Sequence, residues 1–340
     1  MKLGSPPMRE AIAMVVAAAM RWGPVKVPRI AAECDLPVET CRFYLRRYHS
    51  LGFRFLPVVD YQALGLAPHI VFVRRGSRLG AGRAWENFLR WFETVYTVYS
   101  AGFENMDEYV FQTAVPQTEL KKYRMLLDEL LDDNLIQTYR LLRIMDGQYT
   151  ADWVRMYDFS RGVWADELKD LNLPKIPITT HLDPTPIDPL DLSILVNLEL
   201  DPKTKMRKLS SDTGHSQQLI SYHRQRHVDG RLVTGYIPIR QTKWEDVKVT
   251  LIMIPRYGGG EPDAARYYLH SRFITDNDRI LRLHSPSNLT LMTQNGCTSL
   301  GLRLDSLHLY ATPIEHYEDG RWKGLDFFLE QLKHVITVDV

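Results

Sequence analysis

Apolar residues recur every three to four positions over Met8–Trp22, Val27–Cys34 and Val38–Ser50, and this spacing predicts three helices. Gly23-Pro24 stops the first, Asp35-Leu36-Pro37 turns between the second and third, and Gly52 ends the third. Ile30 and Ala31 face inward on the second helix; Cys41, Leu45 and Tyr48 share one face of the third. Phe53–Val59 then reads as a strand, the start of a wing. Two helices around a tight turn, followed by a strand hairpin, form a winged helix-turn-helix, whose second helix can enter the major groove of DNA. Downstream, strands are expected at His69–Val73, Tyr96–Ala101, Glu108–Val115 and Ile136–Ile144. Helices are expected around Trp85–Phe92 and over Gln117–Asp132. That order, β-α-β-β-α-β, is the ferredoxin-like unit: an antiparallel sheet with both helices on one face.

The pattern returns roughly 180 residues later. Asp188 is a candidate N-cap for a helix over Pro189–Leu200, followed by helices at Met206–Asp212 and Ser216–Val228 with Gly214 at the turn. Leu232–Ile239 reads as the wing strands of this second head. A strand at Val247–Ile254, a helix near Asp263–Phe273, and strands at Arg279–Leu283, Asn288–Thr293 and Ser306–Thr312 follow. A helix at Leu325–Lys333 and a strand at Ile336–Val340 close the chain, and extra strand between Pro286 and Asp305 suggests an insertion there. The expected fold class is therefore α+β: two winged helices, each followed by a ferredoxin-like βαββαβ sheet. The division is 1–62 and 63–147, a connector at 148–186, then 187–243 and 244–340. Prolines keep the connector extended, and Trp153 and Trp164 in it call for burial.

Composition changes this picture in two places. Net charge is only +1, yet Lys203–Lys243 carries nine Lys/Arg against Asp212 and Asp229. Arg21–Arg54 carries seven against Glu33, Asp35 and Glu39, which leaves about ten net negative charges on the remainder. Basic charge thus gathers on the two heads, as phosphate contact requires. Cys34, Cys41 and Cys297 have no metal-like spacing and fit a reducing cytoplasm. The apolar run Ala11–Met20 has the look of a signal-peptide core, but it fits a buried first helix and is too short to span a membrane.

The stretch IDPLDLSILVNLELDPKTKMRKLSSDTGHS, followed by GRLVTGYIPI, resembles the leucine-responsive/asparagine-regulator (Lrp/AsnC) family. Asp188, Asp191, Ile194 and Leu195 match that family's Asp-x-x-Asp-x-x-Ile-Leu opening; Gly235 and Tyr236 keep its interval from Ser216. In the first half, Pro37 to Gly52 keeps the spacing from turn to helix end, and Gly102 and Asp107 stand where the family has a Gly-x-x-Asp effector turn. The first half lacks the Asp-x-x-Asp opening, and the second half has no evident Gly-x-x-Asp turn.

The resemblance implies an archaeal- or bacterial-type transcription regulator that binds double-stranded DNA, with a small-molecule effector, no cofactor and no enzymatic activity. Two fused units imply an internal pseudo-dimer, with further homodimerisation open. The reading residues would be Glu39, Thr40, Arg42, Phe43, Arg46 and Arg47 in one head. In the other they would be Ser216, Gln217, Gln218, Ser221, Tyr222, Arg224 and Gln225. Gln and Arg suit adenine and guanine edges, while Arg54 and Arg231 near the wings would meet phosphates.

Two alternatives stand beside this reading. A winged helix can instead dock on a protein of the transcription machinery. Siroheme decarboxylases share the same build and work as paired halves, but their His-Cys-Tyr-Glu-Arg-Pro segment and Tyr-Asn-Leu-Phe-Thr-Met strand are absent; EYVFQTAVP and NLTLMTQNG only partly echo the latter. His215, His223 and His227 raise a zinc question, but without a neighbouring carboxylate or thiol in sequence they read as packing or phosphate contacts. The glycine-rich Tyr257–Pro262 lacks the Lys-Ser/Thr of a phosphate loop.

Overall fold

The computed structural model describes residues 7–80, 82–104, 107–165, 170–178, 188–240, 247–256, 261–286, 298–302, 308–309, 316–318 and 321–337. The first head follows the sequence closely: α1 Met8–Trp22, α2 Val27–Cys34, α3 Val38–Ser50 and the strand β1 Phe53–Val59. α1 is a core helix, with Ala11–Ala13 and Val15–Met20 buried. Asp35, in the left-handed region at φ 50°, closes α2, and Cys41, Leu45 and Tyr48 are buried as the helical spacing requires.

The first half-sheet comprises β2 Leu66–Arg75, α4 Arg83–Thr94, β3 Thr97–Gly102, β4 Glu108–Pro116, α5 Leu120–Asp132 and β5 Ile136–Tyr149. Its strand order, β5-β2-β4-β3, is the ferredoxin-like one. α4 and α5 cover one face, where Phe88, Phe92, Leu126 and Leu127 pack on Val71, Val73 and Phe111. The connector holds the short strands β6 Tyr157–Asp158, β7 Val163–Trp164 and β8 Ile176–Pro177. Trp153, fully buried, stacks on Phe53, while Trp164 packs partly buried against Tyr157.

The second head has α6 Pro189–Leu200, α7 Met206–Thr213, α8 Gln217–His223, a π-helical turn over Arg224–Val228, and β9 Val233–Arg240. The Asp188 carboxylate accepts from the Leu190 N–H, as an N-cap should. The expected wing hairpins do not form among the described residues. β1 and β9 instead pair with each other, antiparallel, from Phe53↔Arg240 to Val59↔Val233. Each strand offers a row of backbone groups that must find partners, and the equivalent strand of the other head supplies them. Gly23 seals this junction: at φ 80° it lies where a Cβ would meet the Tyr236 ring at 2.7 Å.

The second half-sheet comprises β10 Val247–Pro255, α9 Ala265–Tyr268, β11 Leu269–Thr275, β12 Asp278–Pro286 and β13 Thr298–Leu302. Its order, β13-β10-β12-β11, repeats that of the first half. The chain is α+β, with winged-helix heads on ferredoxin-like antiparallel sheets. The helix expected over Asp263–Phe273 is a single turn, and most of that stretch is β11, paired to β12 on one side and β5 on the other. The latter ladder, Ser271↔Tyr149 to Thr275↔Ile144, joins the half-sheets into one. Asn288–Thr293 lies outside the described residues.

The C-terminal segment returns to the first half. β14 His308–Leu309 extends the sheet beside β3, and β15 Tyr317–Glu318 pairs with β16 Arg321–Trp322. α10 Leu325–Thr337 docks on α4, with Leu325 and Phe328 buried beside Trp91 and Tyr96. The expected strand at Ile336 is therefore corrected: Ile336 and Thr337 continue the helix.

Candidate active site between the half-sheets

The sheet curls until its two halves face each other. Along β12, Ile280, Arg282 and His284 point to one face and Leu281 and Leu283 to the other, the two-residue period of a strand. Arg282 sits opposite Leu251 of β10, and its guanidinium carbon lies 3.9 Å over the Tyr99 ring of β3 and 5.7 Å from that of Phe273. Tyr99 belongs to the far end of the other half, so this contact shows the closure.

A register shift between Leu269 and Ser271 turns His270 onto His284, and the two imidazoles stack with centroids 4.1 Å apart and planes 7° apart. Tyr149 meets His270 edge-on at 5.6 Å and bonds to Gln112 of β4. All six side chains are at least nine-tenths buried.

Burial, then the neighbouring His284 and Arg282 charges, holds the His270 pKa well below the usual imidazole value. His284 is pushed down to about 3 by burial and by Arg282. Burial raises the Tyr99 phenol, with Arg282 opposing. At neutral pH the cluster is thus two neutral imidazoles, the two neutral phenols of Tyr99 and Tyr149 and one guanidinium. Among the described residues no carboxylate pairs with Arg282. Its Nε, the Tyr99 hydroxyl and the His270 Nδ1 find no hydrogen-bond partner there. A buried, uncompensated guanidinium is costly, and such orphaned groups mark a place for an ion or ligand.

Gln112 and Tyr149 also line a cavity of about 150 Å³ that reaches the wing strands at Arg54 and Val58 and ends at Tyr61 and Glu199. The Tyr61 hydroxyl donates to Glu199 across it at 3.1 Å. The arrangement suits an anionic group held by Arg282 beside imidazoles able to move a proton.

The expected DNA-reading residues lie elsewhere, on the heads. Glu39, Arg42, Phe43 and Arg46 are exposed on α3 and Thr40 is half-buried. Arg42 pairs with Glu39, and Arg47 donates to the Ser160 carbonyl at 2.8 Å. In the second head Gln217, Gln218, Tyr222, Gln225 and Arg231 are exposed. Ser216 caps α8 through the Leu219 N–H, and Ser221 accepts from Gln225.

Arg224 is a correction. It is buried, bonds to the Tyr236 hydroxyl and faces Asp229, so it packs the head and leaves the reading face. Arg54, taken for a phosphate contact, is half-buried in the cavity wall, and desolvation lowers its pKa. Asp107 pairs with Arg75 at 2.7 Å on an exposed turn, while Gly102 lies in β3 opposite Tyr109. Neither lines the cavity.

The sequence reading missed Arg282, His270, His284 and Tyr99. Arg282 falls in the strand read at Arg279–Leu283 and His284 just past it, but the helix assigned through Phe273 placed His270 on the wrong element.

No protein-family model and no curated protein matches the sequence. Among solved structures, the siroheme decarboxylase NirDL aligns over 98% of this chain and 99% of its own, at 9% identity and a TM-score of 0.49. Its complex with an iron-uroporphyrin III analogue aligns over the same shares at 10% identity and TM-score 0.45. An AsnC family transcriptional regulator from Agrobacterium tumefaciens covers 41% of this chain and 90% of its own, at 15% identity and TM-score 0.29. At these identities the likeness concerns the fold. The expectation of no enzymatic activity is corrected here: the structures aligning along the whole length are those of an enzyme. No helix among the described residues is long and apolar enough to cross a membrane.

Proposed function

We propose that the chain is a siroheme-decarboxylase-like enzyme acting on a polycarboxylate held between the half-sheets. The observation that carries this reading is Arg282, buried beside the stacked His270 and His284 with no carboxylate partner among the described residues. One substrate carboxylate neutralises Arg282. A second carboxylate, left without a cation in the buried site, is desolvated, which favours loss of its charge as carbon dioxide. The C–C bond to that carboxylate breaks, its electron pair stays on the methylene carbon, and a proton from solvent forms the new C–H bond. The step is redox-neutral. Anaerobic incubation of the purified chain with siroheme, followed by mass spectrometry, tests the reading: loss of carbon dioxide is expected, and abolished in Arg282→Gln. Unchanged siroheme, or equal turnover by the variant, sinks it.

A second reading, binding of duplex DNA by the heads, is favoured by the exposed Arg42 and Arg46 on α3 and by a groove between the heads. Arg21, Lys26, Arg29 and Arg226 line that groove, with Asp229. The β1–β9 and β5–β11 ladders support an internal pseudo-dimer, with the two-unit division read from sequence and non-identical reading helices. A gel shift at two salt concentrations tests it. Salt-insensitive or absent binding would end this reading.

A further inference from the structure

The fold brings a carboxylate to two histidines that the sequence left alone. Asp191, on the first turn of α6, accepts from His223 Nδ1 at 2.8 Å through one oxygen and faces His227 Nδ1 at 3.0 Å through the other. His223 and His227 are four residues apart, across the π-helical turn, and their rings are 4.8 Å apart. Such turns recur at functional sites. Asp188, the N-cap of α6, lies 3.7 Å from His223. His215, exposed on the turn before α8, takes no part in this cluster.

Charge decides between a mere hydrogen-bond network and a ligand site. The Asp191 side chain is 7% exposed, and among the described residues no Lys or Arg pairs with it. Its polar neighbours are the two imidazoles, one on each oxygen, with the Asp188 carboxylate close behind. A buried carboxylate in that position calls for a cation.

We infer that Asp191, His223 and His227 bind one divalent transition-metal ion, of the zinc type, which ties α6 to α8 in the second head. Two nitrogens and one oxygen select such an ion over magnesium or calcium. One ligand atom from each residue lies within 4.8 Å of the others. Bonds of roughly 2.0–2.1 Å in a tetrahedron need ligand atoms about 3.3 Å apart, so the two Asp191–histidine contacts, at 2.8 and 3.0 Å, open by a few tenths of an ångström to admit the ion. His227, the most open of the three at 34% side-chain exposure, gives the entry side, and a water completes the fourth position. The first head has no counterpart: the sequence there lacks the Asp-x-x-Asp opening, so the duplication has kept the site in one copy only.

The test uses the full chain, stripped with a chelator and titrated with cobalt(II) in place of zinc. The expected result is one equivalent of cobalt with visible d–d absorption, displaced by zinc and untouched by magnesium, and a melting temperature that rises with zinc. His227→Gln, at a partly exposed position, removes a direct ligand and should weaken the ion by more than the roughly 10-fold that loss of an outer-shell partner costs; Asp191→Asn should abolish it. A colourless cobalt titration with no zinc-dependent melting shift overturns the site. So does undiminished binding in a folded His227→Gln variant, which would place the ion elsewhere.

Discussion

The two half-sheets share one strand order and differ in what their inner faces carry. The first keeps a mainly apolar wall, with Ile70, Phe72, Ala101 and Leu142 buried among aromatic neighbours. It is backed by two full helices. The second has one helical turn in place of its first helix and puts Arg282, His284 and His270 on the facing side. A duplicated unit lets one copy secure the fold while the other takes on costly buried polar groups. Binding or chemistry, not stability, then explains why those groups are kept.

Substitutions on the two faces should therefore act in opposite senses. Phe72→Ala in the first half removes a ring stacked on Phe103 and should cost about 3–5 kcal/mol in chemical denaturation. Equal stability would show that the apolar wall is dispensable. Lowering the pH should strain the second half instead. The His270 and His284 pKa values are depressed on folding, so their contribution is complete above the free imidazole value near 6.5. It falls away as pH drops toward about 3, where the folded His284 takes its proton. Melting temperatures should decline across that window, and less steeply in His284→Gln; identical slopes would remove these imidazoles from the account.

Arg282→Met should stabilise the chain by about 1–3 kcal/mol, because it removes a buried charge while keeping a long apolar stem over Tyr99. A loss of stability would mean that a counterion already satisfies the guanidinium. The smallest effect is expected from Tyr99→Phe, within about 0.5 kcal/mol, since that hydroxyl has no bond to lose among the described residues. A larger change measured by denaturation would reveal a partner for it.

Much of the first half was legible because its elements are local. The spacing of Cys41, Leu45 and Tyr48 suffices for α3, and the alternation in Glu108–Val115 suffices for β4. β11 was not legible. AARYYLHSRFIT offers apolar residues at both helical and strand spacing, and hydrogen bonding to β5 and β12 settles the choice. The wings failed for a related reason: Phe53–Val59 is a strand by propensity, but nothing local specifies which strand completes its ladder. As for the candidate sites, each histidine of the Asp191 cluster was visible and their carboxylate was not, because it comes from another helix.

Side-chain periodicity and capping act over a few residues, so the pattern along the chain sufficed for the helices of both heads, α4, α5 and most strands. The cross-pairing of the wing strands, the docking of α10 on the first half and the place of Arg282 over Tyr99 came from contacts between distant segments. Those outcomes depend on burying apolar faces and satisfying backbone groups between segments far apart in the chain, and the local pattern carries no record of that partner choice.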